Sequence, residues 1–352
     1  MIGLIGISSP IGPTGESDDF HPSDLSLEKI DGIWIGKSDL AKLATSGKAW
    51  DGVMKEAIRS TLKPDLSDQD DSTNVRVLAK ALVYVRTGQE SYRQDVIQAC
   101  MGIIGTEEGA RSLSLGRELM AYVIAADLVR LPPEKDATFR NFLRGILNRK
   151  NREGRSMIQT HEQRPNNWGA HNGASRIATA LYLKDLDQLK QAAKVFKGYL
   201  GDRQAHTGFR FKDANWWQAD SAQPVGINPM GATLHGHNVD GVLPDDQRRA
   251  GPFRWPPPKE NYVYEALQGL LSQAVMLDRL GYDVWNWSDR ALFRAFTWLH
   301  DVAEFPAVGD DGWEPYLVNH YYGTDFPTLE SSRPGKGMGY SDWTHPVPQN
   351  KK

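Results

Sequence analysis

Two stretches of the 352-residue chain gather residue types that do chemistry. The first, Arg164-Pro-Asn-Asn-Trp-Gly-Ala-His171-Asn-Gly, sets two amides, an indole and an imidazole just before the apolar series Ile177, Ala180, Leu181. That is the position of a helix entrance, where Asn166 or Asn167 serves as a cap. One cap needs one Asn, so the second Asn, with Trp168 and His171, is a candidate for holding a ligand. The second stretch runs from Asp240-Gly-Val-Leu-Pro-Asp-Asp-Gln-Arg-Arg249 through Phe253, Arg254 and Trp255 to Pro256-Pro-Pro-Lys259-Glu-Asn-Tyr262. Here a turn and a basic cluster precede another helix, and the three prolines predict a stiff, extended approach to Tyr262. Taken alone, Tyr262 reads equally as a core aromatic residue and as a group that moves protons.

Other residues of the right types lack partners in the sequence. His235-Gly-His237-Asn-Val-Asp240 has the imidazole and carboxylate groups of a zinc site, but no third and fourth ligand is evident. His161-Glu162 lacks the second His of a zinc-protease pattern, and Gly3 and Gly6 are not followed by a helix and an acidic partner. No metal and no cofactor are therefore expected. Trp216-Trp217 and Asn319-His320-Tyr321-Tyr322 are candidates for stacking sugar rings. Arg117-Glu118, between Leu115 and Leu119, reads best as a helix-surface pair. Cys100, the one cysteine, lies among Val96, Ile97, Ile103 and Ile104 and reads as a buried hydrophobe.

The elements that must position these groups are helices. Val75, Leu78, Ala79, Leu82 and Val85 recur at the spacing of one helical face, as do series at 96–104, 119–126, 139–147, 189–200, 267–274 and 292–299. Short breakers such as Thr87-Gly88, Gly105, Leu131-Pro-Pro and Gly201-Asp202 make successive helices antiparallel hairpins. No comparable series of alternating strands appears, and no fixed solenoid period is found. The expected fold is all-α: an (α/α)n toroid or incomplete barrel of antiparallel helical hairpins. Residues 1–33 read as an irregular N-terminal extension and 34–352 as a single toroid domain. The segment from 208 to 261 is far longer than an ordinary connection, and such loops line sites.

Composition narrows the partners. With 41 basic and 44 acidic residues the formal charge is -3, which supplies no bulk field for nucleic acid. No apolar run is long enough for a membrane span, so neither nucleic acid nor membrane is an expected partner. Met1 to Pro10 is apolar but lacks a basic leading region and a clear cleavage site.

A resemblance sharpens these readings. Asn166-Asn167 near a helix start, the Asp-Gly-x-Leu-Pro segment followed by Arg, and a Tyr shortly before Ala-Leu resemble the alginate-lyase superfamily. So do Asp39-Leu-Ala-Lys-Leu-Ala-Thr-Ser-Gly-Lys-Ala-Trp50, Pro165-Asn-Asn-Trp-Gly169 and Asn319-His-Tyr-Tyr-Gly-Thr-Asp-Phe326. The resemblance implies an α/α toroid that cleaves a uronic-acid polymer, alginate or glucuronan, by β-elimination. It also implies roles: Asn167 and Arg249 neutralise the uronate carboxylate, and Tyr262 moves the proton. The His that follows the Asn in such enzymes is Trp168 here, so the assisting imidazole falls to His171 or His237. Arg254 is a rival to Arg249, and Trp168, Trp217, Lys259, His320 and Tyr322 are expected to touch substrate. The implied partner is an anionic polysaccharide, the implied location secreted or periplasmic, and the expected state a monomer. Two other readings remain open. One is a glycoside hydrolase on a similar barrel with paired carboxylates drawn from Asp240, Asp245, Asp246, Glu260, Asp310, Asp311 and Glu314. The other is a non-catalytic sugar-binding protein.

Overall fold

The computed structural model describes residues 30–347; the apolar start and most of the expected N-terminal extension lie outside the described residues. Four long helices begin at one end of the molecule: α3 (Thr73–Thr87), α5 (Ser112–Val129), α8 (Asn167–Leu183) and α11 (Tyr262–Asp278). They run parallel to one another. Asn172 of α8 bonds to Ser112 of α5 and Ser175 to Gly116, while Ala170 lies against Gly269 of α11 and Gly173 against Gln273. Each returns through a helix on the outside: α4 (Glu90–Gly102), α6 (Pro133–Ile146), α9 (Leu186–Tyr199) and α12 (Trp287–Thr297). This is the expected all-α toroid of antiparallel hairpins, and it leaves the inner helices with their N-termini at a common mouth.

The sequence pattern explains which helices go inside. Nearly every residue of α5, α8 and α11 is buried, whereas α6 and α9 bury one stripe, such as Phe139, Leu143 and Ile146. A helix apolar around its whole circumference finds neighbours on all sides, and one with a single stripe covers them. Close approach needs small residues. A Cβ added to Gly269 would come within 2.5 Å of the Ala170 backbone, and one on Gly116 within 2.6 Å of the Asn172 amide.

The remaining elements close around this frame. Among them α1 (Lys37–Leu40), α2 (Lys48–Ala57), α13 (Glu314–Tyr322) and α14 (Ser341–Thr344) flank α3 and α11, and the short α7 (Met157–Gln163) precedes α8. Pro165 stops α7, since the residue before a proline leaves the helical region. Asn167 to Asn172 are already helical, so the first chemical cluster is a helix entrance, as its sequence setting indicated. In the second cluster the Trp255–Pro256 bond is cis. Near the C-terminus, Tyr340 Oη donates to Val75 O and Trp343 packs on Trp50, which carries Lys336 back to the mouth beside Asn74. One continuous apolar core extends from Ile33 to Trp343.

The long loop contains a two-residue hairpin, β1 (Thr233–Leu234) with β2 (His237–Asn238), and the short helix α10 (Pro244–Gln247). Buried Arg294 anchors it, donating to Asn228 O and Asp240 from α12 while also bonding the carbonyls of Ser288 and Asp289. Those two carbonyls belong to a left-handed turn, φ 49° and 56°, that non-glycine residues adopt only when such bonds fix it.

Candidate active site

At the mouth the inner helices surround a cavity of about 410 Å³ lined by Arg111, Arg117, Trp168, Arg249, Glu260, Tyr262, Glu265 and Lys336, among others. Four cations thus face two carboxylates. The helix starts add to that sign, because the partial positive charge of a helix lies at its first turn.

Asn166 and Asn167 divide the work that the sequence left undivided. Asn166 is the cap: its Oδ1 accepts from Trp168 N–H at 3.2 Å and its amide donates to Asp245 at 2.8 Å. Asn167 is fully buried, and neither its Oδ1 nor its Nδ2 has a protein partner. Its backbone N–H donates to Asp246 at 3.0 Å. Burying both ends of an amide unpartnered costs a few kcal/mol, so the side chain is held ready for another group. Asp246, completely buried beside Asp245 and Tyr199, has its carboxyl raised well above the ordinary range by desolvation. Asp245 also binds Arg248 at 2.8 Å, which makes Arg248 a structural cation and leaves the next residue to the cavity.

That residue, Arg249, stacks its guanidinium on Tyr262 with 3.7 Å to the ring centroid. Tyr262 opens α11 and is 36% exposed, so it is not the core aromatic residue that its sequence setting also allowed. Its backbone N–H donates to Glu260 at 3.1 Å. One helical turn further, Glu265 pairs with Arg117 and has its Oε2 3.8 Å from His171 Nε2. Burial opposes the charge on Glu265, yet His171 and Arg117 together hold its carboxyl down at about 2. Neither ring nitrogen of His171 has a hydrogen-bond partner within 3.5 Å, and burial lowers its pKa, keeping the imidazole neutral. Asn167 and His171 are one helical turn apart on the same face of α8.

The sequence reading missed Arg117, Glu265, Arg111 and Lys336. Arg117 was expected on a helix surface, but α5 has no exposed face, so both Arg117 and Glu118 are buried. A charge within a helix that is apolar all round was the signal available. Glu118 finds no hydrogen-bond partner, and burial, reinforced by Asp71, Asp68 and Asp65, raises its carboxyl to about 10. Arg111 lies over Trp168, 5.5 Å to the ring, and reaches Glu153 at 3.3 Å.

Other expected site residues lie elsewhere. His237 stacks flat against Trp255, centroids 4.3 Å apart, and is not among the residues lining the cavity. Its neighbour Asp240 is taken by Arg294, so the His235–Asp240 segment does not assemble as a ligand set. Trp217 is 0% exposed and donates from its indole to Gly251 O at 3.1 Å; burial makes it a loop anchor without a face for sugar. His320 Nδ1 lies 3.0 Å from Pro346 O, and Tyr322 donates to Trp285 O at 2.8 Å, both away from the cavity lining. Arg254 and Lys259 are exposed on the loop that leads into Tyr262. Cys100 is buried as expected, and burial pushes its thiol up.

A helical toroid with a cationic, tyrosine-bearing mouth is an architecture suited to an acidic polymer. Residues 62–209 match the family model described as alginate lyase. The matched segment includes Arg111, Arg117, Asn167, Trp168 and His171 and ends before Arg249 and Tyr262. Over those residues the chain is similar to the alginate lyases, and that similarity supports an enzyme of the polysaccharide-lyase class. No curated protein matches the chain.

Proposed function

We propose that the enzyme cleaves a uronic-acid polymer, alginate rich in mannuronate or glucuronan, by β-elimination at this mouth. The observation that carries the reading is the joint placement of Tyr262, Arg249 and Trp168 on one cationic cavity, with the unpartnered Asn167 and His171 buried directly behind its lining, Asn167 next to Trp168 in the chain and His171 3.8 Å from Glu265. Elimination begins with removal of the proton on the carbon beside the carboxylate. The carbanion then develops next to an existing negative charge, so the carboxylate must be neutralised first. Asn167 and Arg249 bind the carboxylate oxygens, and preorganised donors there favour the transition state over the ground state. Tyr262, as the phenolate, takes the proton; the electron pair forms the new carbon–carbon double bond, the glycosidic C–O bond breaks, and the leaving oxygen receives a proton from the phenol so formed, which restores the phenolate. The helix starts and Lys336 spread the charge further.

For the assisting imidazole the geometry favours His171, because it is buried behind Glu265 at the cavity, whereas His237 is occupied in a ring stack. A neutral imidazole whose Nε2 lies 3.8 Å from an ionised carboxylate favours the tautomer with its proton on Nε2, facing that carboxylate, and keeps Nδ1 as an acceptor. Hydrolysis by paired carboxylates has less support. Of the cavity's two carboxylates, Glu265 is held ionised by His171 and Arg117 and Glu260 accepts from Tyr262 N–H; outside the lining, Asp311 and Glu314 are buried and Asp240 is paired with Arg294. No helix of the described residues is long and apolar enough to cross a membrane. A monomeric, secreted enzyme acting as a single domain from residue 34 onward completes the proposal.

The test is incubation with polymannuronate, polyguluronate and glucuronan while following the ultraviolet absorbance of unsaturated uronate. Absorbance growing with any one of them is the expected result; reducing ends without absorbance from all of them would sink the reading.

A further inference from the structure

Outside the cavity, the long loop builds a second surface with a different chemistry. Trp255 is 39% exposed, and its ring is backed by His237 at 4.3 Å and an interplanar angle of 13°. Behind these, Phe253 packs 4.9 Å from Trp217, and Trp217 packs 6.4 Å from Trp298, which donates to Asn238 O at 2.9 Å. The outermost indole is therefore held by a column of rings rooted in the core, not by a free loop. Backing on one face leaves the exposed surface of Trp255 flat and rigid, which lowers the entropy lost when a ring stacks on it. Exposed cations flank it in sequence, Arg254 and Lys259, and neither is in an ion pair among the described residues.

We propose that Trp255, with Arg254 and Lys259, forms a distal subsite that binds an acidic sugar residue of the polymer several units away from the bond being cut. The occupant follows from the chemistry: a flat aromatic face suits the C–H face of a pyranose ring, and unpaired cations suit its carboxylate. Its position follows from chain length. Glu260 at the cavity edge lies five positions after Trp255, so the two are at most about 18 Å apart along the chain. Gln247 fixes that connection by donating to Pro258 O at 2.9 Å. A polymer seated in the cavity thus passes within reach of the platform. Binding there raises affinity for long chains through effective concentration without altering the chemical step.

This inference rests on the uronate reading above, and the experiment separates the two. Trp255→Ala and the double variant Arg254→Gln/Lys259→Gln are compared with wild type on a long polyuronate and on its size-fractionated trisaccharide. Retardation of the Tyr262→Phe protein, with and without Trp255→Ala, is measured in gels containing alginate or glucuronan. The expected result is a KM for the long polymer raised about five- to tenfold, with kcat and the trisaccharide parameters unchanged. Retardation is expected to weaken in step. Equal effects on polymer and trisaccharide, or none on either, overturn the subsite while leaving the lyase reading intact. Absence of both cleavage and retardation with every polyuronate overturns both.

Discussion

The two ends of the inner helices offer cavities of similar size and opposite character. At the mouth the space is about 410 Å³; at the far end, beside Asp127, Arg130, Asp136, Arg140 and Lys184, it is about 320 Å³. Volume does not tell them apart, and both are lined by charge. The difference is whether the protein has already used those charges. At the far end Arg140 binds Asp136 at 2.7 Å and Tyr182 O at 2.8 Å, Tyr182 donates to Asp136, and Asp127 accepts from Ile33 N–H. At the mouth Asn167 and His171 are buried without hydrogen-bond partners, and Arg249 meets a ring where its neighbour Arg248 meets a carboxylate. Helix polarity adds to this contrast, since the mouth gathers N-termini and the far end C-termini. Satisfied charges hold a fold together; unsatisfied ones are where it meets a ligand.

Substitutions at the two ends are the sharpest way to break this comparison. Tyr262→Phe is expected to lower turnover by about a thousandfold with an unchanged melting temperature, read as unsaturated uronate and by thermal unfolding. Arg249→Ala should reduce kcat/KM by about a hundredfold at little cost in stability. Arg140→Ala should do the reverse, costing about 1 kcal/mol of stability and leaving kinetics untouched. A kinetic defect in the Arg140 variant as large as that of Arg249→Ala would erase the distinction between the ends.

Two further outcomes concern pH. Glu265 has its carboxyl lowered to about 2 from an ordinary 4.5. Its ion pair therefore stabilises the fold fully above that ordinary value, and the contribution is lost as pH falls towards 2. Denaturant unfolding should show Glu265→Gln less stable than wild type at neutral pH, with the gap closing on acidification. Glu118 is the opposite case, raised to about 10, so it is protonated in the folded chain and ionised in the unfolded one at neutral pH. It costs stability increasingly as pH rises from its ordinary 4.5 to about 10. Glu118→Gln should accordingly be more stable than wild type at pH 9 and closer to it at pH 5, the smallest of these effects. A parallel offset at both would remove ionisation as the cause.

Much of the scaffold was legible in the chain because helix periodicity and capping are local. The series at Val75–Val85, Phe139–Leu147 and Leu189–Leu200 correspond to α3, α6 and α9, and Asn166 and Tyr262 stand at helix starts. The shorter α2, α7, α13 and α14 were not singled out, because a few turns carry too few apolar repeats. Site residues divided differently. Trp168, Arg249 and Tyr262 come together at the cavity, whereas Trp217, His237, His320 and Tyr322 lie elsewhere, although their residue types and settings looked equally suitable. Nothing in the sequence around Trp217 separates a buried anchor from an exposed face.

What the sequence determined by itself is the longer helices, their antiparallel order and the two segments rich in chemical groups, because each depends on spacing within a few turns. Only the tertiary structure decided which of two asparagines caps and which is left unpartnered, and which histidine stands behind Glu265. It also turned Arg117 from an expected surface residue into part of the site. Those outcomes depend on groups far apart in the chain, such as Arg117 with Glu265 and Asn74 with Lys336, which become neighbours only when parallel inner helices bring their first turns to one mouth.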